Sequence, residues 1–410
     1  MTTVNPSPPG CEPDGAGPPA GDLPRRAARS SVGDSRKVHR GDRAPGCPVR
    51  VGPDGVWHIQ DYATARRFLR HTDTRQAGLG IENALRLQDR MRLPVLYRDG
   101  PEHREHRRQT AKYFTPKRVE SAYRDLMHRL AEQQCQVLRR RGAADLSTLS
   151  FQLAVAVAAE VVGLTDSPPG MAKRLDRFFR IPDPNARGVA AARQRTFNNF
   201  TVLSFFWRDV RPAIAARRRN RRDDLISHLL DEGCNRAEIL GECVTFAAAG
   251  MVTTREFITV AAWHLLTHET LRERYETGGP DERVAILHEI LRLEPVVGDL
   301  LRWTTADVEL GDVTIPSGAR VDVGVAAANL DVAEAGARPG AVCPGRPIGA
   351  GLSFGDGAHR CPGAHIAIQE AEIFLSRLFA MPGLRMIQEP TVTIRPDIAS
   401  YEVKGMILAV

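Results

Sequence analysis

Residues Phe354–Gly363 read FGDGAHRCPG, which places one cysteine in a glycine-rich loop, and the apolar, helix-forming run Ala364–Phe379 follows directly. Glycine lets the backbone approach a flat ligand closely and adopt positive φ angles. Cys361 is therefore predicted to lie just before a helix N-terminus, where the helix dipole and the free N–H groups favour the thiolate over the thiol. A thiolate presented on such a cleared surface suits the axial position of a haem iron.

The tripeptide Cys-Pro-Gly occurs twice in the chain, and the two copies differ in their surroundings. Cys343-Pro344-Gly345 lacks the preceding Phe-Gly-x-Gly-x-His and has no helix-forming run behind it. A lone cysteine is usually a small buried hydrophobe, so the tripeptide alone indicates nothing. We interpret Cys343 as a loop residue and Cys361 as the metal ligand, because the glycines, the histidine and the helix occur together only at Cys361.

The glycine-rich stretch resembles the haem-binding loop of the haem-thiolate monooxygenases, the cytochrome P450 family. Four more segments match that family, and they are Glu289–Arg292, Asp99–His103, Ala249–Thr253 and Ala328–Asp331. The last match is imperfect, since the family usually has Arg where this chain has Leu330. The resemblance runs from about Cys47 to the C-terminus. It implies a mainly α fold with small β-sheets (α+β), the triangular cytochrome P450 architecture, and haem b (iron protoporphyrin IX) as the cofactor.

Glu289 and Arg292 lie three residues apart on a predicted helix over Val284–Leu293, so the two charges can pair on one face. An exposed pair of this kind would contribute only a few tenths of a kcal/mol. The resemblance implies instead a buried pair, joined by Arg346 as the third member. We interpret the three residues as a structural clamp behind the haem loop, since a buried charge network must be fully paired.

The haem propionates need basic partners, and the resemblance supplies four candidates. His103 and Arg107 lie four residues apart on one face of a helix that begins near Pro101. The other two candidates are Arg302 and His359. His106 lies off that face and is expected to be exposed. The remaining residues expected at the cofactor are Phe354, Gly355, Gly363 and Ala249.

The oxygen-side helix is predicted over Leu240–His268, with Gly250 and Thr253 at its centre. Glycine in mid-helix costs about 1 kcal/mol against alanine, and here it would let the helix pass close over a haem face. Thr253 can bond back to the carbonyl one turn earlier. The resemblance implies a second role, in which Thr253 helps to bring protons to bound dioxygen and is catalytic together with Cys361.

Val252 departs from the family pattern, which commonly has Asp or Glu immediately before this threonine. An apolar side chain cannot relay a proton, so either water carries protons in or the enzyme depends less on fast protonation of dioxygen. The second alternative favours oxidative coupling of aromatic or cyclic-dipeptide-like molecules over hydroxylation. Apolar candidates for the substrate pocket, each of which could equally belong to the core, are Leu85, Leu87, Met251, Val252, Val296, Val297 and Ala399.

The composition and net charge of the chain limit which partners and which cellular compartment are expected. The formal net charge is +7, and 42% of the residues are hydrophobic. No zinc spacing or aromatic-plus-basic stripe accompanies the basic charge, so we expect an acidic protein partner and no nucleic acid. Seven scattered cysteines indicate no disulfide framework and fit a reducing cytoplasm. No stretch approaches the ~20 apolar residues that a membrane span requires.

Residues 1–45 are rich in Pro, Gly, Arg and Ser and are predicted to form a flexible leader. Residues 46–410 are predicted to form a single cytochrome P450 domain, and we expect a monomer. The resemblance implies oxidation of a hydrophobic small molecule with O2 and two electrons from a ferredoxin and a ferredoxin reductase, in natural-product tailoring. The alternative is a haem-binding recruitment or sensing module without turnover.

Overall fold

The computed structural model describes residues 34–38, 48–78, 81–85, 88, 91–179 and 187–410. Helices dominate these residues. In chain order the α-helices are α1 Tyr62–Leu69, α2 Ile81–Ala84, α3 Gly100–Thr110, α4 Pro116–Arg118, α5 Arg124–Arg141, α6 Leu146–Val162, α7 Met171–Phe178, α8 Gly188–Phe205, α9 Arg211–Arg219, α10 Leu225–Asp231, α11 Arg236–Phe246, α12 Thr253–Thr267, α13 Glu269–Thr277, α14 Pro280–Leu293, α15 Val325–Ala328, α16 Val332–Ala335 and α17 Ala364–Phe379.

The strands are short and form small sheets. They are β1 Val49–Val51, β2 Trp57–Ile59, β3 Thr74–Gln76, β4 Ala143–Asp145, β5 Asp299–Thr304, β6 Val308–Leu310, β7 Val313–Ile315, β8 Arg320–Gly324, β9 Arg385–Gln388, β10 Thr391–Arg395, β11 Ser400–Lys404 and β12 Ile407–Ala409. The predicted fold class, mainly α with small β-sheets, is confirmed.

The chain divides into two compact units. The first, here called the β-rich unit, contains residues up to 79 together with 288–360 and 396–400. The second, here called the helical unit, contains residues 80–287, 361–395 and 401–410. The predicted extents of the leader and of the single domain stay predictions.

The β-rich unit is built on a five-stranded sheet in the order β1-β2-β8-β5-β3. The hairpin of β1 and β2 pairs Val49 with Ile59 and Val51 with Trp57, as the Gly-Pro-Asp-Gly turn between them predicts. Helix α1 begins after Asp61, whose carboxylate accepts the Thr64 N–H at 2.8 Å. The core of this unit comprises residues of α1 and of strands β1, β2 and β6–β8, with Phe68, Val308 and Val323 completely buried.

The helical unit packs long helices side by side. Helix α17 packs against α5 and α12, and α12 packs against α6. The helix predicted over Leu240–His268 is present as α11 and α12, joined by π-helical turns over Ala247–Val252. Helix α5 is likewise preceded by a π-helical turn over Val119–Tyr123. Such turns are rare and occur mostly as single turns within or beside α-helices.

Residues 34–38, inside the predicted leader, lie on the β-rich unit. The backbone N–H groups of Lys37 and Val38 donate to the Glu294 carboxylate, the latter at 3.1 Å. The Ser35 N–H donates to the Gly340 carbonyl at 2.9 Å. Val38 is buried, so this short piece makes both polar and apolar contacts.

Glu289, Arg292 and Arg346 form one buried network in the β-rich unit. The Glu289 carboxylate accepts two hydrogen bonds from Arg292, both at 2.8 Å, and one from Arg346 Nε at 3.0 Å. The Cys343 backbone N–H donates to the same carboxylate at 2.9 Å. The Arg292 and Glu289 side chains are 0% and 1% exposed. The network therefore joins α14 to the loop around Cys343 within a buried setting.

Asn329 extends this network, and its role was not predicted. Its Nδ2 donates to the Arg292 carbonyl at 3.0 Å and to Ser353 Oγ at 2.9 Å, while its Oδ1 accepts the Leu352 N–H at 2.7 Å. Arg292 Nη1 in turn donates to the Asn329 carbonyl at 2.8 Å. One amide side chain thus connects α14 with the start of the glycine-rich loop.

Glu289→Gln removes the carboxylate that lies between the buried guanidinium group of Arg292 and the half-buried one of Arg346. We expect the free energy of unfolding to fall by about 3–5 kcal/mol, because breaking a buried ion pair leaves uncompensated charge. Chemical denaturation of the purified protein measures the change. The control Glu309→Gln, an exposed carboxylate on β6 of the same unit, should change stability by less than about 0.5 kcal/mol. Equal stability of the Glu289 variant and the parent would contradict the role of the network.

Candidate active site

Cys361 lies three residues before α17, which has the bounds predicted from the sequence. Cys361 is half-buried and is not part of a disulfide, and a Cβ placed on Gly363 would lie 3.9 Å from the Cys361 Sγ. Helix α17 buries Ile368, Phe374 and Leu375 in the helical unit. Packing thus fixes the helix, and the helix N-terminus stabilises negative charge on the sulfur before it.

Helix α3 supplies two basic side chains to the helical unit. It begins after Asp99 with Pro101 in its first turn, where the missing N–H has no intrahelical partner to lose. His103 is buried and Arg107 is half-buried. Burial lowers the pKa of Arg107, and the Cys361 thiolate opposes that shift. The Arg107 guanidinium therefore lies within the electrostatic reach of the predicted metal ligand.

The expectation that His106 is exposed is wrong. Its side chain is 5% exposed, and its Nδ1 lies 3.1 Å from Arg98 Nη2. Burial, reinforced first by Arg98, lowers the pKa of His106 to about 3, so the ring is neutral at physiological pH. His106 follows His103 by three residues and lies on nearly the same side of α3. It is buried because Arg98, in the segment before α3, packs against it, and helical periodicity alone does not show that contact.

The π-helical turns between α11 and α12 leave small residues accessible. Ala248, Ala249 and Gly250 are exposed, whereas Ala247 and Met251 on either side are buried. A Cβ built on Gly250 meets nothing within 4 Å. The centre of this helix therefore offers a surface without projecting side chains. Such a surface, the Cys361 thiol and the Arg107 cation within its reach are groups that suit a flat, iron-containing ring with carboxylates.

Thr253 and its neighbour Thr254 make the same kind of hydrogen bond. Thr253 Oγ1 donates to the Ala249 carbonyl at 2.5 Å, and Thr254 Oγ1 donates to the Gly250 carbonyl at 2.7 Å. Both carbonyls lie within or beside the π-helical turns, where regular backbone bonding is disturbed. Thr253 is half-buried and Thr254 is buried. The Thr253 hydroxyl thus keeps its acceptor side for another group and must rotate to donate elsewhere.

Arg255 and Glu256, immediately after these threonines, form a buried network that sequence reasoning missed. Arg255 Nε donates to Glu256 Oε1 at 2.7 Å, and Arg255 Nη2 reaches Glu402 Oε1 at 3.1 Å. Glu256 Oε2 accepts the Val403 N–H at 2.7 Å. Burial raises the pKa of Glu256 to about 7, with Arg255 opposing it most strongly. Charged residues in the middle of an apolar helix were the signal that could have indicated this anchor between α12 and β11.

The β-rich unit holds the other predicted cofactor residues. Arg302 is buried on β5, and its Nη1 donates to the Leu301 carbonyl at 2.8 Å. His359 and Phe354 are half-buried in the glycine-rich loop, and Gly355 adopts a φ of 66°. Arg66 of α1 and Arg70, directly after that helix, bind the Asp356 carboxylate at 2.9 and 3.0 Å, which ties the loop to this helix.

The predicted pocket residues are divided between the units. In the helical unit Leu85 and Val252 are half-buried and Met251 is buried, while Leu87 lies outside the described residues. The remaining three belong to the β-rich unit and are Val296, Val297 and Ala399. There Val297 pairs with Ser400, and the Gly298 N–H donates to the Ala399 carbonyl at 2.8 Å. Ala399 adopts a φ of 49°, which is uncommon for a residue with a side chain.

Comparison with known proteins agrees with this arrangement. The Cytochrome P450 family model matches residues 284–381. Cytochrome P450 109 of Bacillus spizizenii is 27% identical over 346 residues, which cover 82% of this chain and 81% of that protein. The erythromycin C-12 hydroxylase of Saccharopolyspora erythraea is 29% identical over 354 residues, which cover 82% of this chain and 84% of the hydroxylase.

Solved structures show the same fold. The myxobacterial cytochrome P450 CYP267B1 in complex with myristic acid has a TM-score of 0.72 and 26% identity, over 88% of this chain and 92% of that one. CalO2 has a TM-score of 0.73 and 25% identity over the same shares. No helix in the described ranges is both long and apolar enough to cross a bilayer. These matches show that the chain is similar in sequence to bacterial cytochromes P450 over most of its length and has the cytochrome P450 fold.

Proposed function

We propose that Cys361 is the axial thiolate ligand of haem b and that the chain catalyses the oxidation of a hydrophobic small molecule. The observation that carries this proposal is the position of the half-buried Cys361 three residues before the N-terminus of α17, within the electrostatic reach of Arg107. In the helical unit, Arg107 and His103 would bind propionate, and Ala249 would lie against the ring. For Arg302, His359, Phe354, Gly355 and Gly363 the cofactor role stays a prediction.

Haem bound through a thiolate supplies the oxygen and electron chemistry, and the protein supplies position, dryness and proton delivery. The Arg107 cation and the α17 N-terminus both favour a deprotonated Cys361 sulfur. Thr253 would accept a hydrogen bond at its free lone pair and would release the Ala249 carbonyl when it donates. The buried Arg255–Glu256 pair holds α12 in place one turn further along.

The substrate class follows from apolar pocket candidates and from the relatives. Met251, Val252 and Leu85 in the helical unit offer no charged anchor, which favours an apolar substrate. One relative is named for hydroxylating erythromycin at C-12, which supports natural-product tailoring by hydroxylation. The more specific alternative is oxidative coupling of an aromatic or cyclic-dipeptide-like substrate. The argument for it is the apolar Val252 immediately before Thr253. Ferredoxin and ferredoxin reductase in the cytoplasm would supply the electrons.

The ligand assignment is tested by the ferrous carbonyl spectrum of two cysteine variants. Cys361→Ser should abolish the red-shifted Soret band that thiolate ligation produces, because serine cannot supply a thiolate. The matched control is Cys343→Ser in the second Cys-Pro-Gly, where only the backbone N–H of residue 343 contacts Glu289. That control should keep the band at full intensity. A normal band in Cys361→Ser would disprove the assignment.

The role of Thr253 is tested against its neighbour, which makes the equivalent back-bond. Thr253→Val should reduce the share of NADH electrons that reach product by roughly a hundredfold, the lower end of the range for one proton-transfer group. The assay contains ferredoxin, its reductase and a ligand that shifts the Soret band. The peroxide released per NADH consumed measures the electrons that do not reach product. Thr254→Val should leave this ratio within about twofold, since its hydroxyl is buried and bonded to the Gly250 carbonyl. Equal ratios in the two variants would refute the proton role.

The coupling alternative is tested at Val252. Val252→Asp restores a carboxylate next to Thr253, so protonation should become faster and products should shift from coupled to hydroxylated compounds. Chromatography of the products from an accepted aromatic substrate measures the shift, with Val252→Asn as the uncharged control of similar size. An unchanged rate and product profile in the Asp variant would remove the argument for coupling.

A further inference from the structure

The segment Arg92–Arg98 lies against α11 and is held there by carboxylates. Glu238 and Glu242 lie one turn apart on α11 and so share a face. Glu238 Oε1 accepts the backbone N–H of Arg92, and Glu242 Oε1 accepts that of Val95, both at 2.9 Å. Two acceptors one turn apart thus bind two donors three residues apart, which fixes the position of the segment along the helix.

Arg98 closes the downstream end of the same segment. Its Nη2 donates to Glu242 Oε1 at 3.1 Å, and its Nη1 donates to Glu102 Oε1 at 3.1 Å. Arg98 and Glu242 are 7% and 3% exposed. A buried charge without its partner is strongly unfavourable. Separating the segment from α11 therefore breaks a charged contact and two backbone hydrogen bonds together.

Apolar side chains of the segment also pack closely against α11. A Cβ built on Gly241 would lie 3.1 Å from Pro94 Cγ, closer than side chains normally approach. Glycine at this position lets Pro94 rest directly on the helix backbone. Leu93, Pro94 and Val95 are all buried. The segment fits α11 closely between its two carboxylate contacts.

We propose that Arg92–Arg98 is a strap docked on α11, and that Glu242 is the positioning residue that holds it and so retains ligand in the pocket. Helix α11 continues through the π-helical turns to Thr253. Leu85 precedes the strap in the chain, so the strap is the downstream end of the segment that contains Leu85. The strap thus fixes one end of that segment on the helix that carries Thr253. This inference rests on the proposed function, in which these residues line the substrate pocket.

The surroundings of Glu242 predict how pH acts on the strap. Burial raises the pKa of Glu242 to about 7, although Arg98 and the Val95 N–H lower it. Its ordinary pKa of 4.5 would return once release exposes it to water. The docked form therefore binds the proton more tightly, so docking is firmest below pH 4.5 and weakens as the pH rises from there to about 7. Other charged or titratable groups around Glu242 are Arg92, Glu102, His103, His106, His228, Glu238 and Cys243. His106, with a pKa near 3, does not titrate in this range.

The test compares two substitutions of Glu242 in the full-length, haem-loaded protein. Glu242→Met removes the acceptor and leaves Arg98 and the Val95 N–H without it. Amide hydrogen exchange over residues 92–98 should then become faster by on the order of tenfold, the effect of losing about 1.4 kcal/mol of protection. Release of the bulky azole clotrimazole should accelerate by at least ~threefold, because the variant loses part of the free energy that holds the strap on α11. The Soret shift of the bound azole measures its release.

Glu242→Gln is the conservative rescue, because its amide oxygen can accept from Val95 and Arg98 but does not titrate. It should restore exchange to within about threefold of the parent and abolish the pH dependence. Gly241→Ala displaces Pro94 without any change of charge, so it should also speed exchange and azole release. Glu105→Gln, an exposed carboxylate on α3, is the control that should leave exchange and release unchanged.

Two results would overturn the proposal. Unchanged exchange in both Glu242→Met and Gly241→Ala would show that no strap is held in this way. Faster exchange with unaltered azole release would show that the strap does not retain ligand. Failure of the proposed function is distinguishable, since it would appear in the parent protein as a missing thiolate band, whereas hydrogen exchange over residues 92–98 requires no ligand.

Discussion

The Glu289 carboxylate receives four hydrogen bonds while almost completely removed from water. Two come from Arg292, one from Arg346 and one from the Cys343 backbone. Without these donors the ionised group could not remain buried, and without the carboxylate the two guanidinium groups could not. The carboxylate and the two guanidinium groups of the clamp can therefore be removed from water only together. It joins α14 to the loop that contains Cys343 and Arg346.

The same device recurs elsewhere in the chain. Glu242, Glu256, Glu289 and Glu294 are all buried, and each accepts at least one backbone N–H from a segment between 54 and 257 residues away. A buried backbone N–H needs a partner, and an ionised acceptor gives a hydrogen bond about twice as strong as a neutral one. Glutamates within helices or directly after one thus fix segments that are remote in the chain. That arrangement holds loops in place without strand pairing, which suits a fold whose sheets are small.

The oxygen-side helix combines regular and irregular parts for a physical reason. Its flanks are fixed by buried charges, Glu242 upstream and Arg255 with Glu256 downstream. Between them the π-helical turns over Ala247–Val252 carry only small or apolar side chains. The backbone there is accessible, and the Thr253 and Thr254 hydroxyls satisfy two of its carbonyls. Rigid flanks and an accessible centre together form a surface that a planar cofactor can approach.

Much of this protein was determined by local sequence. The bounds of α17, the hairpin of β1 and β2, the Asp61 cap and the mainly α class follow from periodicity, turn residues and caps, which act over a few residues. The family resemblance pointed to the partners in the Glu289 clamp for the same reason that it pointed to Cys361, since each lies in a short motif. Tertiary structure alone decided that His106 is buried, that Arg98 meets Glu242, and that Glu256 binds the backbone of Val403. These contacts join residues up to 147 positions apart, and no local pattern encodes which buried charge meets which remote N–H. Only the packed chain, in which every buried polar group must find a partner, determines them.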